Sequence, residues 1–274
     1  MILLNGRKMT VTKFPNNEAL IRDCITDVKD INSIDFKFES NEDFLNLMFV
    51  KKHIDSIKPK AITKLNIPYM PYSRMDRTEG KNIFTLKYIC DFINSLNFDT
   101  VIISEPHSDV CVALLDRVEV HNTTASIVAN LIEKLKFKEG EDFLFYPDAG
   151  AEKRYSKQIK YGSILSAQKE RDFLSGNIKK MTITGELPNK PFRTIIVDDL
   201  CSKGGTFMLG AEKLKDVGAT EIYLVVTHCE NTILDGDILK TDLIKEVYTT
   251  DSILNIKLVS QELINNKLNV IKIF

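Results

Sequence analysis

The sequence predicts an α/β protein of two tandem domains, each a mostly parallel sheet flanked by helices, with an active site in the cleft between them. Three observations predict it. Uncharged, β-branched runs alternate with amphipathic stretches in a βα rhythm. That rhythm restarts after Gly140. The 274 residues are also long for one hydrophobic core and comfortable for two. The domains are expected over 1–140 and 141–274, with the last ~15 residues able to pack back on the first domain.

In chain order, the stretch from Asn17 to Val28 reads as a helix and Ile34 to Phe38 as a strand. Asn41 to Ser56 carries Phe44, Leu45, Met48 and Phe49 at helical spacing, and a strand follows from Ala61 to Ile67. Phe84 to Leu96 is a helix, Thr100 to Ser104 a buried strand, and Thr124 to Leu135 a helix. The second half opens with a strand over Phe143 to Tyr146, a helix over Glu152 to Lys160 and a strand over Ser163 to Ala167. Met181 to Thr184 reads as an edge strand. Thr194 to Val197 is the most strand-like run of all, β-branched and uncharged. Thr206 to Val217 is a helix with Gly218 at its C-terminus, and the strands Glu221 to Thr227 and Glu246 to Thr249 complete the second sheet.

Composition narrows the function. Apolar residues make up 43% and charged residues 27%, which excludes a disordered or fibrous chain. The net charge of −1 gives no global attraction to nucleic acid or to an anionic membrane, so any anion site must be local. No apolar run approaches membrane length, and MILLNGRK is no signal peptide. Cys24, Cys90, Cys111, Cys201 and Cys229 are odd in number and lack metal-like spacing, as expected of reduced thiols in a cytoplasmic protein.

The chemistry concentrates after the strand at Thr194. There Asp198-Asp199 end an apolar run and Ser202-Lys203-Gly204-Gly205-Thr206 lead into a helix. A helix N-terminus behind a glycine loop presents backbone N–H groups to an anion, and Ser202, Lys203 and Thr206 add side-chain donors. Two adjacent carboxylates at a strand end suit ribose hydroxyls or a metal-bound sugar. An exposed acidic turn before a flexible loop is the bland alternative, disfavoured because the acids sit at the C-terminal end of a strand, where open sheets bind ligands.

This arrangement resembles the phosphoribosyl-pyrophosphate loop of the type I phosphoribosyltransferase fold, and five further segments resemble the ribose-phosphate diphosphokinases, or phosphoribosyl-pyrophosphate synthases, in the family's order. Ile67-Pro-Tyr-Met-Pro-Tyr72-Ser-Arg74-Met75-Asp76-Arg77 resembles their nucleotide-binding signature, and Ser104-Glu-Pro-His107-Ser their metal-associated histidine segment. Pro147-Asp148-Ala-Gly150-Ala-Glu-Lys-Arg154 resembles their aspartate–glycine turn, Lys169-Glu-Arg171 their catalytic loop, and Lys13-Phe14-Pro-Asn16-Asn-Glu18 their adenine loop. The resemblance implies two phosphoribosyltransferase-type domains and diphosphoryl transfer from ATP to the anomeric hydroxyl of a ribose phosphate. It assigns Lys169, Arg171 and His107 to catalysis, with His107 and Asp148 near Mg²⁺. Phe14, Asn16, Glu18, Arg74, Met75, Asp76 and Arg77 are assigned to ATP, and Asp198, Asp199 and Ser202 through Thr206 to the sugar phosphate. It also implies a homo-oligomer, at least a dimer, in which one subunit's adenine loop completes its neighbour's site.

Several positions depart from the family. Ser202-Lys203 stands where an acid and a hydroxyl residue are usual, which makes the phosphate pocket more positive. Asn16 replaces an aspartate and Met75 a glutamine, and the chain is shorter than typical members. Ribose 5-phosphate is the expected acceptor. ADP-ribose, whose terminal ribose offers the same hydroxyl beside a diphosphate, is the alternative. A phosphoribosyltransferase would leave the Arg74 segment without a purpose, and an inactive regulatory homologue would be expected to lose the acid pair or the charged loop. His228 reads equally as a sugar-site neighbour or a strand-end hydrogen-bonder, and His53 and His121 as surface or helix residues.

Overall fold

The computed structural model describes residues 1–22, 28–78, 80–171 and 178–274, and it divides into two compact units, Met1–His121 with Phe274 and Asn122–Ile273. In the first unit, strand β1 (Ile2–Leu4) pairs antiparallel with β2 (Arg7–Lys8), and β3 (Thr10–Lys13) with β4 (Ala19–Arg22) as a separate hairpin. β5 (Ile31–Phe36), β6 (Ile62–Ile67), β7 (Thr100–Ser104) and β8 (Val118–His121) run parallel, and the six-stranded sheet has the order β2-β1-β5-β6-β7-β8. Helices α1 (Glu42–Ile57), α2 (Thr85–Ser95) and α3 (Asp109–Leu114) complete the unit. β6 alternates, burying Thr63, Leu65 and Ile67, while α1 buries Phe44, Leu47, Val50 and Ile54 at helical spacing.

The second unit opens with α4 (Thr123–Leu135), followed by β9 (Phe143–Tyr146), α5 (Ala149–Gln158), β10 (Ile164–Arg171), β11 (Ile178–Thr184) and β12 (Phe192–Cys201). It continues with α6 (Gly205–Asp216), β13 (Ala219–Cys229), β14 (Glu246–Thr250), α7 (Gln261–Asn266) and β15 (Leu268–Ile271). The seven-stranded sheet has the order β11-β10-β9-β12-β13-β14-β15 and is parallel except at β11. All four residues of β9 are buried, as a central parallel strand covered on both faces requires. Phe143 and Phe145 join the core beneath α6, and Leu144 and Tyr146 the core beneath α4 and α5.

Three expectations are corrected. The stretch from Asn17 is no helix: Asn17 takes a left-handed backbone (φ 67°), Phe14 N–H donates to the Glu18 carbonyl, and Ala19–Arg22 pairs with β3. A short apolar run satisfies either periodicity, and strand pairing decided it here; the part of this run over 23–27 lies outside the described residues. The units divide at His121/Asn122 rather than near Gly140, because Ile127, Val128 and Leu131 of α4 pack with Leu144, Tyr146, Ile195 and Val197 of the second sheet. Of the C-terminal stretch, β15 pairs with β14 in that same sheet, and only Phe274 groups with the first unit.

One ion pair ties α4 to the start of β12. Arg193 donates to both Asp142 oxygens, Nε–Oδ1 at 2.9 Å and Nη2–Oδ2 at 2.6 Å, and its Nη1 donates to the Leu135 carbonyl that ends α4. Burial pushes the Asp142 carboxyl up, but Arg193 and the Lys138 N–H outweigh it and hold it below the usual carboxylate range. Stability from this pair is therefore present above the unfolded carboxyl pKa of about 3.9 and is lost as pH falls through the lower folded value. Arg193→Ala is expected to cost about 3 kcal/mol in urea unfolding at pH 7. It should also flatten the decline in stability below pH 4; an unchanged urea midpoint would remove this pair from the fold's support.

Candidate active site

The parallel topology brings the C-terminal ends of β9, β10 and β12 to one edge of the second sheet, and acids collect there. Asp148 follows β9 as the N-cap of α5, its Oδ1 accepting from Ala151 N–H at 3.0 Å. Its other oxygen accepts from Lys169 Nζ of β10 at 2.8 Å; the Lys169 side chain is only 7% exposed. Burial pushes the Asp148 carboxyl up, and the Lys169 bond and the Ala151 N–H more than reverse it.

The expected strand at Thr194 runs on to Cys201 and takes the acid pair with it, so Asp198 and Asp199 are strand residues. Asp199, 5% exposed, faces α5, where Arg154 Nη1 meets its Oδ1 at 3.2 Å. Burial works against the Arg154 charge, but Asp199 and the Tyr155 ring beside it hold the guanidinium protonated. Asp198 differs. Burial, then the charges of Asp199 and Asp148, push its carboxyl well above the usual range, although its Oδ1 accepts from Asp199 N–H at 2.9 Å.

The loop after β12 turns into α6 through Gly204, whose φ of 86° suits glycine and whose missing Cβ leaves room for Ile238. The N-cap of α6 is Gly204, which has no side chain to cap the first-turn N–H groups. Gly205 has open space where a Cβ would stand, Thr206 is half-buried, and Lys203 is exposed. Ser202 is held from below: its hydroxyl donates to Glu230 Oε2 at 2.5 Å.

In the first unit, Phe14, Asn16 and Glu18 form the tip of the β3–β4 hairpin, with Phe14 49% exposed and Asn16 Oδ1 accepting from Glu18 N–H at 3.2 Å. The hairpin replaces the expected turn into a helix. Arg74 through Arg77 lie between β6 and α2; both arginines are exposed, and Arg77 Nη1 stands 4.0 Å from Asp76 Oδ1. Met75 is tied in by its backbone, its N–H donating to the Tyr72 carbonyl at 3.0 Å. His107 follows β7, the neighbour of β6, and is half-buried.

The second unit therefore gathers Asp148, Lys169, Asp198 and Asp199 beside the loop Ser202–Thr206, whereas His107 belongs to the first unit with the nucleotide segments. The Arg171 side chain lies outside the described residues. Among the described residues no group of three or more His, Cys, Asp or Glu side chains is assembled to hold a metal ion. His228 is buried, with Nδ1 2.9 Å from Ser252 Oγ, which is the hydrogen-bonding reading of that residue. Sequence reasoning passed over Arg154, Glu230 and Glu105 as site residues. Glu105 is 1% exposed with φ 44°, an acid directly after the apolar strand β7, the same signal that singled out Asp198. Nothing in the sequence pairs Arg154 with Asp199 or Glu230 with Ser202, because those contacts are made by packing.

Residues 147–273 match the family model described as "Phosphoribosyl synthetase-associated domain". The ribose-phosphate pyrophosphokinase of Buchnera aphidicola is 28% identical over 218 residues, 76% of this chain and about two thirds (67%) of that protein. That of Sulfurisphaera tokodaii is 29% identical over 251 residues, 88% of this chain and 82% of the relative. The crystal structure of phosphoribosylpyrophosphate synthetase from Mycobacterium smegmatis superposes with a TM-score of 0.73 over 97% of this chain and 86% of that one. At 18% identity this last likeness establishes the fold. No helix among the described residues is long and apolar enough to cross a membrane.

The Asp148 contacts can be separated experimentally. Asp148→Asn keeps an N-cap oxygen and loses only the charge opposite Lys169, whereas Asp148→Ala loses both. The alanine variant is expected to be less stable than wild type by about 2 kcal/mol and the asparagine variant by about half that, since Asp148 is 42% exposed and water screens the pair. Urea unfolding measures both, and equal losses would show that the cap contributes nothing.

Proposed function

From these similarities we propose that the chain is a member of the ribose-phosphate pyrophosphokinase family and that it transfers the β,γ-diphosphate of ATP to the C1 hydroxyl of ribose 5-phosphate, releasing AMP. The observation that carries the proposal is the acid pair at the end of β12, with Asp199 met by Arg154, followed by a glycine loop into the N-terminus of α6. The C1 hydroxyl oxygen bonds to the β-phosphorus, the bridging bond to the α-phosphate breaks with its electron pair leaving on AMP, and the hydroxyl proton is released. Asp198 and Asp199 take the ribose hydroxyls, and Ser202 through Thr206 with the first turn of α6 take the 5-phosphate. Lys169 and Arg171 are assigned the charge that builds on the transferring group; an incoming phosphate competes with Asp148 for the Lys169 ammonium. Arg74 and Arg77 take the triphosphate with Asp76 orienting them, and Phe14 stacks on the adenine while Asn16 and Glu18 read its edge and Met75 packs beside it.

Mg²⁺ favours oxygen donors and keeps water and phosphate oxygens as most of its ligands. Among the described residues no cluster of three or more ligand side chains is assembled, which suits an ion that arrives with ATP, with Asp148 as the protein oxygen donor and His107 near the phosphates. When bound, the ion offsets phosphate charge. The exposed ring of Phe14 at a hairpin tip supports an assembly of at least two subunits, in which that tip serves a neighbouring copy.

One feature favours a second acceptor, ADP-ribose. Lys203 adds an exposed positive charge beside the 5-phosphate position, where ADP-ribose extends to a second charged phosphate. Incubation with ATP, Mg²⁺ and each acceptor in parallel, read by AMP release and product mass, separates the two. Ribose 5-phosphate is expected to gain a diphosphate and Lys169→Ala to lower kcat about 100- to 1,000-fold. Turnover of ADP-ribose alone would reassign the acceptor, and AMP release with neither would end the diphosphokinase reading.

A further inference from the structure

Arg154 has no part in the chemistry above, yet it is the cation that meets the acid pair. It projects from α5, is 21% exposed, and its guanidinium lies 3.2 Å from an Asp199 carboxylate that is itself almost wholly covered. An acid so placed does not remain ionised without a cation. The guanidinium is in turn held from the side. The Tyr155 ring lies 5.7 Å from its Cζ, Tyr155 is fully buried against Tyr146, and the Tyr155 hydroxyl donates to Thr124 Oγ1 at 3.3 Å. Thr124 Oγ1 lies 2.6 Å from Thr227 Oγ1 on β13, the strand beside β12. α4, α5 and β13 thus form a buttress around Arg154, and through it around Asp199.

We propose that Arg154 is a positioning residue for the acceptor sugar, acting through Asp199: it fixes the carboxylate at the end of β12 as an ionised hydrogen-bond acceptor for ribose hydroxyls. The inference rests on the sugar-phosphate reading of the site. It assigns Arg154 no contact with ATP, and it separates the acid pair by role, with Asp199 the acid that the guanidinium meets. The planar guanidinium suits the post because it pairs with a carboxylate while lying against an aromatic ring, and an ammonium does only the first.

The test compares Arg154→Gln, Arg154→Lys, Asp199→Asn and the Arg154→Gln/Asp199→Asn double variant, with circular dichroism and thermal melts as the check on folding. Arg154→Gln is expected to raise KM for the acceptor at least tenfold with KM for ATP unchanged, and Arg154→Lys to recover part of that loss. In the Asp199→Asn background, removing Arg154 should add less than a twofold further change, because its effect passes through that carboxylate. Should Arg154→Gln not fold, Arg154→Lys and its double variant with Asp199→Asn carry the same comparison. Calorimetric titration of acceptor without ATP gives a readout independent of turnover. Wild type that binds ribose 5-phosphate and a Gln variant that binds it equally well would overturn the inference alone. So would a raised KM for ATP, or losses that multiply fully in the double variant. Wild type that binds neither ribose 5-phosphate nor ADP-ribose would overturn the underlying reading as well.

Discussion

Three carboxylates crowd the C-terminal edge of the second sheet, and their mutual repulsion is the constraint around which that edge is built. Asp148, Asp198 and Asp199 sit at the ends of adjacent parallel strands, where burial alone would push every one of them toward the neutral acid. Two cations resolve the conflict unevenly. Lys169 reaches across from β10 to Asp148, and Arg154 reaches from α5 to Asp199. For Asp198, burial and the charges of Asp199 and Asp148 win, and its carboxyl lies well above the usual range.

The scaffold supplies the rigidity this arrangement needs. β9 and β12 are buried on both faces, so the residues at their ends have little freedom to relax away from one another. α5 is the key connection: its N-cap is Asp148 and its second turn carries Arg154, so one helix anchors both ion pairs to the sheet. The loop into α6 is braced in the same manner, by Gly204 closing against Ile238 and by Glu230 holding the Ser202 hydroxyl. Under the proposed function, a phosphate at the helix N-terminus would meet groups already in place, and less of its binding energy would go into ordering the loop.

The first unit carries its groups differently. Arg74, Arg77 and Phe14 are exposed, on a turn and a hairpin tip rather than on a strand interior. Flexible cations and an open ring are what a polyphosphate with a planar base meets well, because each contact can adapt to the ligand. Under the proposed function the contrast in burial between the two sets matches their assigned tasks, since hydroxyl recognition needs a fixed acceptor and a triphosphate rewards charge wherever it can reach.

Much of this was legible in the amino-acid order. The uncharged run at Thr194 ending in two acids, the glycines before a helix, and the acid after Phe143–Tyr146 each place a group at a strand end, because local periodicity and glycine's freedom at positive φ act over a few residues. The hairpin at Phe14 was not legible, since a short apolar run fits both periods and only pairing with Thr10–Lys13 decides it. Nor was the division at His121, because an amphipathic helix shows that it has an apolar face and not which sheet will cover it. By itself the sequence determined which chemistry is present and at which strand ends. Only the tertiary structure decided which acid is paired with which cation, because Arg154 and Asp199 are 45 residues apart in the numbering and meet through packing alone.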